Sequence, residues 1–359
     1  MKHVSRKLIV AVLAVAVAGL AVAAAAASVD HSAKKAASVQ VCVLLPDTKS
    51  SVRWVQFDAP AFAKAFKKAG VTASINNALN DPQKQKAQAA ACLAAGAKVV
   101  VETALDNGSA SSIEKSFTSA GGKAIDYDRQ VLGGTASVYV TFDGKAVGAA
   151  QATGILAAMK KNGTYNANST VAELWGGPTD QNAFWFKSGN DAVLNPLFAA
   201  GKIKKGPQQF VPDWLATNAA PIFAQMLVKT NNNIQGVIAA NDNIAGAVVA
   251  TLKARHLKPL PLSGQDATTQ GVQYILAGWQ TGTVFKYVPD EANATAAAAV
   301  ALLNGKKPKT TTTRKNGSVN EPTLALPVHW ITKANYTMLF TDGFLKKSEV
   351  CVGQYKQYC

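Results

Sequence analysis

From residue 39 onward the sequence alternates short apolar runs with alanine-rich amphipathic stretches, which restricts the chain to an α/β fold with parallel sheets. VQVCVLL (39–45) reads as a strand buried on both faces, ending at Pro46-Asp47. The stretch 59–69 places Phe62, Ala65, Phe66 and Ala69 on one helical face and Lys64, Lys67 and Lys68 on another, with Gly70 suited to the C-terminus. VTASI (71–75) follows as a second strand. Asn80-Asp81-Pro82 offers N-cap candidates and a first-turn proline for a helix reaching Ala95. KVVVET (98–103), a helix over 109–120, KAIDYD (123–128) and SVYVTF (137–142) continue the pattern. Strands separated by single helices imply right-handed crossovers, so the sheet is parallel and covered on both faces. The rhythm restarts after 145 with helix 145–161, TVAELWGG (170–177), helix 182–200, QQFV (208–211) and helix 217–230. IQGVIAAND (234–242), helix 244–255 and PLPLSGQD (259–266) follow. TVFKYVPD (283–290), helix 291–304 and LALPVHW (324–330) complete two similar α/β halves.

The first 27 residues read as a leader rather than as part of the fold. Lys2, Arg6 and Lys7 form a charged start, Leu8 to Ala27 is unbroken apolar sequence, and small residues precede Ser28. The run is also long enough to stay as a membrane anchor, so export is expected with the mode of anchoring left open. Export to an oxidising space gives the four cysteines a role. Of three connectivities, Cys42–Cys92 with Cys351–Cys359 is favoured, the second closing a short C-terminal loop. The alternative is that Cys42 and Cys92 are merely small buried apolar residues.

The chain has 37 Lys plus Arg against 21 Asp plus Glu, a formal charge of +16. The basic residues are scattered, and no run of five occurs, so nucleic acid is not expected as a partner. There is no GxSxG, HExxH or phosphate-binding GxxxxGK[ST], no CxxC, and His31, His256 and His329 are isolated from any nucleophile. No catalytic site, metal or cofactor is expected.

In open parallel sheets, ligands sit beyond the carboxyl ends of the strands. Those positions here hold Asp47, Arg53-Trp54, Asp106-Asn107, Asp128-Arg129, Asp143, Gly176 to Asn182, Trp214, Asn241-Asp242, Gln265-Asp266 and Lys286. Carboxylates, amides and arginines bond hydroxyls in fixed directions, and indole faces lie against the C–H surface of a sugar ring. The set fits a neutral polyhydroxylated ligand. Trp175, Trp279 and Trp330 are expected in the core, and Asn241-Asp242 could equally cap the following helix.

The sequence resembles the sugar-binding, type I periplasmic binding proteins that feed ABC importers, nearest to their xylose-binding members, over residues 39–345. The matching segments are RW (53–54), YDR (127–129), YVTFD (139–143), GGPTDQNA (176–183), NNNIQGVIAANDNIAG (231–246), SGQDA (263–267), AGWQTGTVFK (277–286) and DGF (342–344). The resemblance implies two Rossmann-like lobes with parallel sheets flanked by helices, joined by three hinge crossings near 142–145, 286–290 and 322–328. The lobes would be 38–143 plus 288–322 and 144–287 plus 323–359. It also implies a monosaccharide ligand, D-xylose first, a membrane permease as partner, a monomeric state, and a periplasmic or extracellular location. A sugar sensor presented to a membrane receptor, or another monosaccharide such as glucose, stays open.

Carried over position by position, Arg53 and Trp54 match residues that hydrogen-bond and stack on the sugar. Asp128 and Arg129 match a carboxylate–guanidinium pair in the cleft. Asp143 falls at the first crossing, Asn182 at the start of a second-lobe helix, and Trp214 at the second stacking aromatic. Asn241 and Asp242 follow one strand, Asp266 ends another, and Lys286 sits at the second crossing. The family's FDN is FDG here, Gly144 replacing an amide, and Trp175, Trp185 and the C-terminal cysteine loop are local departures.

Overall fold

The computed structural model describes residues 38–359; the expected leader lies outside them. Each apolar run becomes a strand and each amphipathic stretch a helix. In the first sheet β1 (Val41–Leu45), β2 (Ala73–Asn77), β3 (Val99–Glu102), β4 (Lys123–Tyr127) and β5 (Val138–Phe142) are parallel. A second series, β6 (Thr170–Trp175), β7 (Lys204–Phe210) and β8 (Gly236–Ala239), is also parallel, in the order β7-β6-β8. It is extended through single bridges, Val237 to Leu262 and Gln265 to Val284, onto the antiparallel pair β9 (Thr283–Phe285) and β12 (His329–Ile331). PLPLSGQD is therefore only locally extended, not a full strand.

Three segments pass between the sheets. The chain leaves β5 at Asp143 for helix Gly144–Lys161, and leaves β9 at Lys286 for helix Val288–Leu303, which packs back on β3, β4 and β5. It then forms a hairpin, β10 (Thr312–Asn316) and β11 (Val319–Leu326), and β11 pairs in parallel with β5 at the edge of the first sheet. The seven-stranded order is β10-β11-β5-β4-β3-β1-β2. β11 runs to Leu326, so the lobe boundary expected at 322 falls inside a strand, and LALPVHW divides between two sheets at Pro327-Val328. Two of the crossings touch: the Asp143 amide donates to the Leu326 carbonyl (3.0 Å).

The apolar faces form separate cores. Val41, Val43, Leu45, Phe62, Phe66, Val99 and Val101 centre one under helices 59–69 and 288–303; Leu174, Phe186, Phe223, Val237 and Val248 centre another on the second sheet. Trp175 is buried, and Trp279 and Trp330 pack against that second core. Both expected disulfides are present, Cys42–Cys92 stapling β1 to helix Pro82–Ala94, and Cys351–Cys359. Among the described residues no helix is long and apolar enough to cross a membrane.

Helix starts face the strand ends. Asp81, Asp106, Asp143, Asp180, Asn241 and Thr268 each accept backbone N–H groups at a first turn, satisfying donors that a helix leaves unpaired. Helices 144–161 and 181–199 approach so closely that a Cβ on Gly189 would meet the Lys145 carbonyl, and this contact fixes the helix that carries Asn182 and Phe186.

Candidate functional site

One cavity lies where the strand ends of the two sheets meet. Arg53, Trp54, Asp128, Arg129, Asn182, Trp214, Asn241, Asp266 and Lys286 all line it. They are brought together from positions up to 233 apart in sequence only because every crossover returns the chain to the same edge.

Arg53 and Trp54 open a π-helical turn, Trp54–Asp58, that follows the loop after β1. Asp47 shapes that loop by accepting from the amides of Lys49 (2.7 Å) and Ser50 (2.6 Å) and from the Ser50 hydroxyl (2.6 Å). The Trp54 indole N–H donates to Ser50 Oγ (3.1 Å), and its ring lies against both Arg53 and Arg129 at 4.5 and 5.4 Å. Cations against an aromatic face hold the ring in one orientation.

Asp128 sits at the end of β4 with a left-handed φ of 61°, a conformation its short polar side chain tolerates. Three donors pin its carbonyl: Tyr139 Oη (2.7 Å), Thr141 Oγ1 (3.1 Å) and Asn182 Nδ2 (2.7 Å). Its carboxylate takes Arg53 Nη1 at 2.7 Å and Lys286 Nζ at 3.3 Å. Burial pushes this carboxyl up, but Arg53, Lys286 and Arg129 outweigh burial and hold it well below the usual carboxylate range. Asp128 and Arg129 do not pair with each other as expected. Arg129 instead binds Asp180 (2.9 Å) and the Ala104 carbonyl (3.0 Å).

The opposite wall comes from the second sheet. Asn241 caps its helix through Oδ1, which accepts the Ile244 amide (2.9 Å), while Nδ2 donates across the cleft to the Ser50 carbonyl (3.0 Å). Asn241 thus caps its helix and lines the cavity at once. Asp266, at φ 90°, accepts from Ser51 Oγ (2.8 Å) and lies 3.4 Å from Lys286 Nζ. Trp214 follows a tight turn with φ 58°, and its six-membered ring rests on Gly176, where any Cβ would overlap the indole. Phe186 meets the same ring edge-on at 6.2 Å.

Asp143 and Asp242 lie outside the cavity. Asp143 caps helix 144–161 and pairs with Arg314 (3.2 Å) at the first crossing, its side chain half exposed. Asp242 turns into the protein and accepts from the Thr268 amide (2.8 Å), Thr268 Oγ1 (3.0 Å) and Gln280 Nε2 (2.8 Å). Burial, opposed by the Gln280 and Thr268 hydrogen bonds, pushes its carboxyl up to about 7. It is a brace between two loops. Ser50, Ser51 and Phe186 line the cavity without having been singled out, and Asp180 joins them from inside the stretch Gly176 to Asn182. Asp180 and Phe186 could have been found from Asn182, which lies two residues after the cap and one helical turn before the ring.

Three cationic side chains (Arg53, Arg129, Lys286) face three carboxyl groups (Asp128, Asp180, Asp266) around the cavity. The lining is thus charge-balanced and densely hydrogen-bonded, with one indole on each side. Hydrogen bonds from Asn241 to the Ser50 carbonyl and from Ser51 to Asp266 hold the walls together around a cavity of about 20 Å³. No group of His, Cys, Asp and Glu among the described residues is spaced to hold a metal ion.

Two parallel-stranded lobes closing on one charge-compensated polar cavity define a cleft-type binding protein. The model of the periplasmic binding protein domain matches residues 41–307, and the chain belongs to that family. It is 33% identical over 320 residues to the D-xylose-binding periplasmic protein of Escherichia coli (strain K12), covering 89% of this chain and 94% of the relative. The structure of a carbohydrate transporter solute-binding protein from Chloroflexus aurantiacus, in complex with D-glucose, superimposes with a TM-score of 0.77 at 28% identity, over 86% of this chain and 97% of that one. An ABC transporter solute-binding protein from Clostridium phytofermentans, with β-D-glucose bound, shares the fold with a TM-score of 0.80 at 23% identity, over 87% and 99% of the two chains.

Proposed function

We propose that the protein is the extracytoplasmic receptor of an ABC importer, capturing a neutral monosaccharide in the interlobe cavity, D-xylose before others. The observation that carries this reading is the lining: paired charges of zero sum, amides and hydroxyls in fixed directions, and two indoles. A charged ligand would leave one member of a buried pair uncompensated, at a cost of several kcal/mol by order of magnitude. A polyol exchanges hydrogen bonds with the same groups and leaves none unpaired. The D-xylose and D-glucose proteins named above support a pentose or hexose as the class.

Capture follows from closure. The lobes separate at Asp143, Lys286 and Pro327, exposing half the site on each; a bound sugar bridges them because it has more contacts in the closed form than in the open one. The closed surface is then offered to a membrane permease. A single chain supplies both walls, so a monomer suffices. Asp128, Asp180 and Asp266 are occupied in holding cations, and the protein binds its sugar without cleaving it.

The test is a thermal-shift panel with xylose, arabinose, ribose, glucose and galactose on folded protein freed of any carried-over ligand. A ligand at 100 times its Kd adds about 2.7 kcal/mol to native-state stability. A shift with D-xylose alone supports the proposal in full. A shift with glucose in its place keeps the class and moves the cargo, and no shift with any sugar overturns the reading.

A further inference from the structure

Arg53 is gripped from behind by groups that do not line the cavity. Its Nε donates to Asp58 Oδ2 (2.9 Å), and its Nη2 donates to Asp58 Oδ1 (2.7 Å) and to Glu291 Oε2 (2.8 Å). The Tyr127 hydroxyl donates to that same Asp58 oxygen (2.7 Å). All four side chains are completely buried or within 1% of it. They come from four places in the chain: the loop after β1, the end of the π-helical turn, the last residue of β4, and the first turn of the helix that follows the second crossing.

A guanidinium carries five N–H bonds. Nε uses one, Nη2 uses two, and Nη1 spends one on Asp128 Oδ2 (2.7 Å), so a single Nη1–H is left without a partner among the described residues. Burial works against the charge on Arg53, yet Asp128, Asp58 and Glu291 together outweigh it and keep the guanidinium firmly protonated. A planar fork held on two edges cannot rotate, and the direction of its remaining N–H is therefore set by residues the ligand never meets.

We propose that Asp58, Glu291 and Tyr127 are positioning residues: they aim the last Nη1–H of Arg53 at one ligand oxygen and so fix selectivity at one hydroxyl. The proposal rests on the sugar-binding reading above. A buried donor with one fixed direction rejects an analogue that lacks the matching oxygen, because the donor is then left unpaired. If the fork loosens, the donor can turn to other partners and the rejection fades.

The experiment uses Tyr127→Phe and Glu291→Gln, which keep the shape of the packed side chains. Each is titrated with the sugar that the thermal-shift panel selects and with its monodeoxy analogues, while NMR follows solvent exchange of the Arg53 Nε–H without sugar in wild type and in Asp58→Asn. Wild type is expected to reject one deoxy analogue by about tenfold or more. Both variants should weaken the parent sugar by about threefold or more and shrink that one ratio, leaving the ratios at other hydroxyls unchanged. In an Arg53→Lys background, Tyr127→Phe should have no further effect on the ratio. The Nε–H should exchange slowly in wild type and at least about tenfold faster in Asp58→Asn. Unchanged affinity and ratio in both variants would overturn the proposal, as would equal weakening of every analogue or an Nε–H equally protected in Asp58→Asn. If wild type binds no sugar, the sugar reading fails, and the exchange measurement alone decides whether these residues hold Arg53.

Discussion

Asp126 and Asp128 stand two residues apart at the end of β4, and each belongs to a cluster of buried carboxyl groups, but only the second cluster contains cations. Around Asp128 the carboxyls of Asp58, Asp180, Asp266 and Glu291 are interleaved with Arg53, Arg129 and Lys286. Around Asp126 lie Glu102, Glu114 and Glu321 with no Lys or Arg paired to them among the described residues. Burial, then the charges of Glu114 and Glu321, push the Asp126 carboxyl well up, and burial with Glu114 and Asp106 does the same for Glu102. Arg53, Lys286 and Arg129 hold Asp128 in the ionised, accepting state that a polyol needs, while burial still pushes the carboxyls of Asp58, Asp180 and Glu291 up. The cluster around Asp126 serves the site only indirectly. Asp126 Oδ2 accepts the Val131 amide (2.7 Å), Glu114 accepts the Thr135 amide, and Glu321 accepts from Gln130 Nε2 (2.8 Å), so the loop behind Asp128 and Arg129 is tied down.

The largest effect is expected from removing the cation that distinguishes the clusters. Arg53→Met leaves Asp58, Asp128 and Glu291 facing one another and should cost about 3–5 kcal/mol in urea unfolding, with sugar binding lost. A cost below about 1 kcal/mol would mean that the charges are not balanced as described.

Next comes Asp242, a brace without a cation. Its folded-state value of about 7 lies above that of an unfolded aspartate, so the native state holds the extra proton between about pH 4 and 7. Its contribution is greatest below about pH 4, declines as pH rises through 7, and amounts to about 4 kcal/mol at most. Asp242→Asn should remove this decline in a plot of unfolding free energy against pH.

Asp128 should then titrate with the opposite sign to Glu102 and Asp126. The raised carboxyls of Glu102 and Asp126 favour the native state at low pH and lose that advantage as pH rises. The lowered carboxyl of Asp128 contributes above about pH 4 and loses its contribution as pH falls. Glu102→Gln, at a side chain whose two oxygens have no hydrogen-bond partner among the described residues, should raise stability at pH 8 relative to pH 5. An unchanged pH profile would argue that Glu102 is already paired. The smallest effect belongs to the half-exposed Asp143–Arg314 pair at the crossing, where Arg314→Ala should change stability by less than about 1 kcal/mol.

The fold was legible where burial wrote a period into the sequence. Phe62, Ala65, Phe66 and Gly70 mark a helix whose bounds, Ala59–Ala69, fall where the pattern puts them, and the parallel strands are continuous apolar runs because both faces are covered. The β10–β11 hairpin was not found. Its strands, TTRKN and VNEPTLAL, are polar at a solvent-facing sheet edge, and the Asn316-Gly317 turn between them was the one available signal. Of the site, residues immediately after strands were legible because crossovers return them to one edge. Partner choice was not: that Asp128 takes Arg53 and Lys286 while Arg129 takes Asp180 depends on side-chain directions that no spacing encodes. Asp58, Tyr127 and Glu291 read as ordinary helix and strand positions, since what makes them special is a single arginine 5, 74 and 238 positions away.

The most direct test of a neutral ligand held in a charge-compensated cleft is calorimetric titration with D-xylose at low and high salt, on wild type and on Trp214→Ala. One sugar per chain, a Kd that hardly changes with salt, a negative heat-capacity change from closure, and binding abolished by Trp214→Ala are predicted. Wild-type affinity in Trp214→Ala, or binding that weakens steeply with salt as expected for an anion, would contradict the account.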